Sequence, residues 1–555
     1  MSTHRFCHVS LTPVCQRNKG IVSEAGLERL AKRLELEVLW EMERKTLIIG
    51  GSALELVIVF SSKDIVESAT LDFPESSDMV KKHTAEAGRI LTSNLKLADG
   101  QSPLTKRMDS FVANFERIAN LDKLSVYPVF NLNEAVAGLF ESLNRLHAWE
   151  WQKAREDPTL TGKTDDYIHN LILCTRSGGP SMNARDRVGL SVDYWIEQHL
   201  VARPADPEPS KQAAEEGKIW SILVGCAPLR DINVSPVRVS DKWISVDIEK
   251  ATLPGELHTG QLLDWLEPEN TFINPDPAKE AAGGDPMQSE PPLLGPRLPE
   301  VAFLATFDPP IHVTLSLWQN LQQLGCGLPD VQSLQTFDTL VFPVPLEVAY
   351  DPSEPRTITC VKQVESRGPG ETAFRWRPHR NTLYVYKPIY GRNLREFTFS
   401  HPQQIVNMLP FFRQYTFLST LLEKSFREEP APAPARPAAP KPRAKTTITT
   451  NMDDFSEFME RENSQANDAL RVDVTLSVHP IPRLQIVFPF RSTTANVVLD
   501  IRENGSVHIV SQNILDESNA IGPEGKARQP EDLGKILETC EDIGTWCEFL
   551  RARWS

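Results

Sequence analysis

No long apolar run, no paired set of cysteines and no excess of positive charge occurs in this 555-residue chain. The longest apolar stretch, Leu54–Phe60, is interrupted by Glu55 and is far short of the roughly 20 residues that a membrane-spanning helix needs. The eight cysteines stand at 7, 15, 174, 226, 326, 360, 540 and 547. None makes a C-x-x-C pair, which argues against a zinc site or a stapled secreted scaffold and suits a reducing compartment. A formal net charge of −15 argues against general nucleic-acid binding, because phosphate contacts need a basic surface. The twelve histidines include no H-E-x-x-H, and no G-x-S-x-G nucleophile elbow appears. The N-terminus scatters His4, Arg5, His8 and Arg17 where a signal peptide would carry an apolar core. The expectation is a soluble intracellular protein, not an enzyme, with no cofactor, no metal, no membrane contact and no direct nucleic-acid partner.

What is present reads as architecture. The length implies two to four domains, and 40% hydrophobic with 24% charged residues is ordinary for a globular chain. Residues 1–21 show no period and read as a loose tail. Ser23 then suits a helix N-cap, and Leu27, Leu30, Ala31 and Leu34 share one face at three- and four-residue spacing. From Val38 the period switches to two, giving strand-like segments at 38–43, 46–49, 54–60 and 65–73. The links between them are short, which favours antiparallel hairpins. Ser76–Leu97 reads as helical. Ser102-Pro103 looks like a helix start for a face of Leu104, Met108, Phe111, Val112, Phe115, Ile118 and Ala119. Asn131 and Glu134 have capping-box spacing before another helix that runs towards Trp149. Residues 22–150 are therefore expected to form an N-terminal α+β domain.

Residues 166–427 read as a β-rich mixed domain. Strands are expected at 168–175, 187–195, 219–226, 237–246, 301–307, 340–348, 357–364, 382–387 and 396–399, and helices at 260–266, 314–324 and 402–424. Residues 202–217 and 274–299 are polar or proline-rich and read as surface loops. Residues 428–450 carry six prolines between 430 and 442 and read as a linker that cannot bury apolar surface. Residues 451–555 hold strands at 471–478, 484–490, 495–501 and 507–510, the last two joined at Asn504-Gly505 as a type I′ turn. An amphipathic helix over 530–550 closes this segment, which either stands alone or completes the preceding domain. The fold class is α+β, multi-domain.

Several motifs invite a chemical reading and are better explained without one. Gly162-Lys163-Thr164 resembles the end of a P-loop, but Asp157 stands where the first glycine belongs. Arg176-Ser177-Gly178-Gly179, with Arg185 and Arg187, could cradle a small anion, though Gly-Gly-Pro is ordinary turn chemistry. Cys540 and Cys547 would lie two turns apart on one helix, too far for a disulfide. The interaction candidates are Leu418, Leu421 and Leu422, with L-x-x-L-L spacing for a groove-docking helix, and Phe455, Phe458 and Met459 in an acidic-aromatic stretch after the linker. Phe411, Phe412, Tyr415 and Phe417 crowd the same helix, so its leucines are expected to face the protein's own core. Lys441, Arg443 and Lys445 form a weak basic patch.

The order of particular residues carries more than their chemistry. Ser23–Ala31, Leu36–Glu41, Leu47–Leu54 and Leu71–Ser76 resemble the opening of fungal-type Mediator complex subunit 1. So do Ser102–Lys106, Leu121–Ser125, Glu134–Gly138 and Arg187–Trp195, and Cys540–Trp546 is similar to the family's end. The resemblance implies a non-enzymatic, cofactor-free nuclear subunit of the Mediator middle module. Its partners would be other middle-module subunits and, indirectly, RNA polymerase II and DNA-bound activators. The animal relative's receptor-binding L-x-x-L-L motifs lie in a disordered region, so that role is not carried to Leu418–Leu422. The alternative is a scaffold or adaptor of another assembly, such as a cytosolic trafficking complex.

Overall fold

The computed structural model describes residues 20–554 apart from 128, 202–216, 251–262, 274–295, 330–334, 346, 367–374, 428–468, 479 and 516–526. The linker and the 274–299 and 202–217 inserts thus lie wholly or largely outside the described residues.

Helix α1 (Glu24–Arg33) starts where Ser23 Oγ accepts the Gly26 N–H, and it buries Leu27, Leu30 and Ala31. Strands β1 (Glu37–Glu41), β2 (Thr46–Gly50), β3 (Glu55–Ser62) and β4 (Ile65–Asp72) follow as antiparallel neighbours in chain order. Two of the connections place Lys45 and Asp64 in the left-handed region that tight turns use. The helix expected over 76–97 is two helices, α2 (Asp78–Lys81) and α3 (Thr84–Leu95).

Ser102-Pro103 does not open the next long helix. It caps a single 3-10 turn, Pro103–Thr105. The chain then pairs with the segment before α1: the Val22 N–H donates to Lys106 O at 2.9 Å, and the Met108 N–H to Gly20 O at 3.2 Å. That pairing, with a bridge between Ile21 and Arg107, keeps Lys106 and Arg107 out of a helix, so α4 (Asp109–Leu124) begins only at Asp109 and buries Phe111, Val112, Phe115, Ile118 and Ala119. Helix α5 (Leu132–Glu156) is capped by Asn131 as expected, but its Glu134 does not close a capping box. Its carboxylate accepts instead from the Ser77 N–H (2.6 Å) and hydroxyl (2.5 Å).

The expected strand at 168–175 is the body of α6 (Asp165–Thr175). Thr164 Oγ1 caps it by accepting the Tyr167 N–H, and Asp165 and Asp166 favour its positive end. Strands β5 (Gly179–Ala184), β6 (Arg187–Ile196), β7 (Ile219–Pro228), β8 (Ile244–Glu249), β9 (Leu263–Trp265) and β10 (Val301–Thr314) come next. The described part of the expected 260–266 helix holds β9, and of the expected 237–246 strand only 244–246 is strand, as the start of β8. After α7 (Leu315–Gln323) and β11 (Gln335–Thr336), the expected strand at 340–348 is replaced by α8 (Phe337–Val341) and an irregular run. Pro343 and Pro345 remove two ladder donors there. Strands β12 (Arg356–Ser366), β13 (Arg375–Val385) and β14 (Tyr390–Phe399) lead into α9 (Pro402–Phe426).

Beyond residue 468 come β15 (Leu470–Ser477), β16 (Arg483–Phe490), β17 (Thr493–Ile501) and β18 (Val507–Gln512). Asn504 and Gly505 both take positive φ, as a type I′ turn requires, and the Ser506 N–H closes onto Glu503 O at 3.3 Å. The single terminal helix expected over 530–550 is two, α10 (Pro530–Cys540) and α11 (Ile543–Arg553). Glu541 is left-handed between them, and Asp542 caps α11 through the Thr545 N–H at 2.6 Å.

Three larger sheets result. The first is β1-β2-β3-β4; the second runs β11-β14-β10-β7-β6-β5; the third runs β12-β13-β15-β16-β17-β18. All pairs in the second sheet are antiparallel. In the third sheet β13 and β15 are parallel, which demands a long crossover. The chain supplies it through β14 and α9. Helix α9 touches β6, β10 and β14 on one side and β12 and β13 on the other, so it lies between the two six-stranded sheets. One hydrophobic cluster fuses them, and a second fills the unit of α1, β1–β4, α3 and α4. The fold is α+β. Among the described residues no helix is long and apolar enough to cross a membrane.

Candidate functional site

Helix α9 positions three of the six candidate interaction residues. Its start is fixed by His401, whose Nδ1 accepts the Gln403 N–H, and by Gln404, whose Oε1 accepts the His401 N–H. Leu418 and Leu421 are 0% exposed and Leu422 is 1% exposed. They fill the cluster between the two large sheets together with Phe412, Tyr415 and Phe417. Both sides of the helix are covered, so the L-x-x-L-L spacing presents no docking face. Phe455, Phe458 and Met459, and the basic patch Lys441, Arg443 and Lys445, lie outside the described residues.

The same helix carries a fully buried cation. Arg413 donates from Nε to Tyr194 O (3.0 Å) and from Nη1 to Asn504 Oδ1 (2.8 Å). Its Nη2 donates to Leu173 O (2.8 Å) and Arg176 O (2.5 Å). Burial lowers its pKa to about 10, so it stays charged at neutral pH. One side chain thereby joins α9 to β6, α6 and the β17–β18 turn.

The proposed anion cradle beside it is filled by the chain. The Ser177 N–H donates to Glu150 Oε2 at 3.1 Å and its hydroxyl to the same oxygen at 2.5 Å. Burial raises the Glu150 pKa, and the Ser177 bonds oppose that rise. Arg185 pairs with Asp193, and Arg187 with Asp308 at 2.6 Å. Neither guanidinium is brought to the turn as a ligand. Gly162-Lys163-Thr164 is the connection into α6, with Thr164 as its cap and Lys163 Nζ 4.9 Å from the Tyr167 ring centre.

The C-terminal helices are held by further ionic contacts. Lys362 Nζ meets Asp542 Oδ2 at 2.5 Å and Lys424 O at 2.7 Å. Lys424 Nζ meets Glu541 Oε2 at 2.8 Å, and the Gln198 N–H meets Glu541 Oε1 at 2.8 Å. Glu548 accepts from the Ser366 hydroxyl (2.7 Å) and contacts His379 Nε2 (3.0 Å). Burial pushes its carboxyl up, but the bonds from His379 and Ser366 and the Arg551 charge outweigh that and bring it to about 2. Cys540 and Cys547 sit on α10 and α11, not on one helix. Burial raises the Cys540 thiol to about 11 and Cys547 well above its usual value, so both are neutral thiols. Among the described residues no group of His, Cys, Asp and Glu is placed to hold a metal.

A concave surface lies on the N-terminal unit. A groove of about 650 Å³ runs between α1 and the segment Pro103–Val112. Its floor is the buried Val22, Leu30, Met108 and Val112. Ile21 (45% exposed) and Leu104 (79%) stand on its rim. Arg29, Arg33 and Asp64 are its charged lining. Arg29 Nε is bound to Ala25 O at 3.1 Å, and Arg33 shares an exposed pair with Glu116 at 2.7 Å. Asp64 Oδ1 is occupied by the Glu24 N–H at 2.8 Å. Sequence reasoning missed this site because it placed Leu104 on the buried face of a helix. The signal that could have found it is the proline-initiated turn so close to α4, with Leu104 inside it.

Compared with known families, residues 11–427 match the family described as Mediator of RNA polymerase II transcription subunit 1. No curated protein matches the chain.

Proposed function

The chain belongs to the family of Mediator of RNA polymerase II transcription subunit 1, and from that premise we propose that it is a middle-module subunit and coactivator scaffold. Members of this family are Mediator subunits in transcription regulation by RNA polymerase II, and Mediator acts in the nucleus. In this reading the chain is non-enzymatic. It binds other middle-module subunits through its surface and relays signals from DNA-bound activators to the polymerase. The observation that carries the reading is the match over 11–427, which runs through the N-terminal unit, the second six-stranded sheet, β12, β13 and α9.

The geometry supports a scaffold. Arg413, Glu150, Glu541 and Glu548 are spent on bonds between elements, which stiffens the frame and leaves surface relief to recognise partners. A net charge of −15 favours protein partners over nucleic acid. Purification of the tagged chain from nuclear extract tests the reading. Co-elution with the other middle-module subunits is the expected result. Recovery of the chain alone, or within a cytoplasmic assembly, would overturn it.

A further inference from the structure

We propose that the groove between α1 and the Pro103–Val112 segment seats a short acidic segment of another polypeptide. One aliphatic or aromatic side chain would enter the groove, with carboxylates on Arg29 and Arg33.

The open apolar surface of the groove is that of Ile21 and Leu104, with Leu30, Met108 and Val112 packed beneath, so an entering side chain gains contact at the two exposed residues without displacing the buried ones. Leu104, at 79% exposed, stands on the rim where it can close over such a side chain. It is there because residues 106–108 pair with 20–22 and keep the 3-10 turn outside α4. Charge selects the occupant. Two guanidiniums line the groove against one carboxylate, Asp64, which leaves the lining with an excess of positive charge. Arg29 is tied to α1 through Nε, which leaves its terminal nitrogens for a carboxylate. Arg33 is engaged only in an exposed pair with Glu116, a kind of contact worth little and readily exchanged. The chain's own residues 1–19 adjoin the groove at Gly20, but they carry Arg5, Arg17 and Lys19 with no Asp or Glu. Their charge is of the wrong sign for an arginine-lined site. An acidic partner segment is of the right sign.

The proposal rests on the subunit reading, and the two fail separately. The test places a benzoyl-phenylalanine at position 104 of the full chain, purified in its native assembly, and maps the photo-cross-link by mass spectrometry. The expected product joins position 104 to a segment of another subunit in which Asp and Glu outnumber Lys and Arg. Arg29→Glu with Arg33→Glu should lower its yield about tenfold or more, the loss expected when hydrogen bonds to a charged group are removed. Reversing the charge of the cross-linked segment should restore it. Arg33 and Leu104 are exposed and the groove is open, so an unchanged melting profile will show that the variants fold. Cross-linking to residues 1–19, to a second copy or to a neutral or basic segment overturns the proposal. So does the absence of any product. Co-purification with Mediator combined with any of those results sinks the groove and leaves the subunit reading standing. If the chain purifies in a different assembly, the same cross-link is read there.

Discussion

Replacing Arg413 with Met should be among the most damaging single changes in the chain. The guanidinium is 0% exposed and holds three main-chain carbonyls, those of Leu173, Arg176 and Tyr194, as well as the Asn504 side chain. Methionine fills much of the volume but donates nothing. Each buried carbonyl left without a partner costs about 1–3 kcal/mol. Removing the cation also relieves its own desolvation, which offsets part of that loss. The net expectation is about 3–5 kcal/mol, a large share of the roughly 5–15 kcal/mol that holds a domain folded. Lysine keeps the charge but not the planar fork, so Arg413→Lys should fall between Met and wild type. The assay is amide hydrogen exchange with a urea titration. Exchange should rise first at the C-terminal turn of α6 and at the Asn504-Gly505 turn, which Arg413 joins. A Met variant whose urea midpoint and exchange pattern match wild type would refute the view that this arginine acts as a cross-link.

Four other changes probe separate parts of the frame. Leu30→Asp puts a carboxylate into a site only 5% exposed in the N-terminal core and should unfold that unit, seen as loss of its melting transition. Asp122→Ala removes the carboxylate that accepts the Ser52 N–H at 2.8 Å and the Ala53 N–H at 2.7 Å. It should cost about 2–3 kcal/mol and speed exchange at the β2–β3 turn; Gly51→Ala should disturb the same turn, since its Cβ would lie 2.2 Å from Asp122 Oδ2. Glu548→Gln should lower stability at neutral pH by about 2 kcal/mol, the scale of hydrogen bonds to a charged group. The Glu548 carboxyl titrates lower in the folded chain than the ordinary 4.5, at about 2. Its contribution is therefore complete above 4.5 and is lost as pH falls towards 2. Wild type should lose more stability than Glu548→Gln across that interval, and equal slopes would sink the assignment.

Local signals in the sequence were enough where the structure is local. Ser23, the Leu27–Leu30–Ala31 face and the switch to period two gave α1 and the four antiparallel strands, because caps and hairpins are decided within a few residues. Signals failed where distant contacts decide. Residues 168–175 are a different case, a local signal misread: Ile168, Leu171, Ile172 and Leu173 read as a strand, but the Thr164 cap and the buried Ile168–Ile172 spacing make a helix. The 530–550 pattern is continuous, yet Glu541 turns left-handed to meet Lys424 and the Gln198 N–H, which no window around 541 contains. The groove was hidden for the same reason. Its leucine was visible as Leu104, but the pairing of 20–22 with 106–108 that exposes it joins segments more than eighty residues apart.

The ionic contacts also decide how far the last hundred residues belong to what precedes them. The matched stretch ends at residue 427, where α9 has just finished. A chain cut there would keep β12 and β13 but lose β15, β16, β17 and β18, the remaining strands of their sheet. The hydrogen-bonding edge of β13 that β15 now covers from His379 to Tyr384 would be bare. Lys362, Lys424 and His379 would lose Asp542, Glu541 and Glu548. Arg413 would lose Asn504, and the leucines of α9 would lose one wall of their cluster. An exposed edge strand beside an uncovered apolar helix is an aggregation hazard. The C-terminal strands and helices are therefore part of the frame that buries α9, and it is this burial that takes Leu418, Leu421 and Leu422 out of reach of any partner.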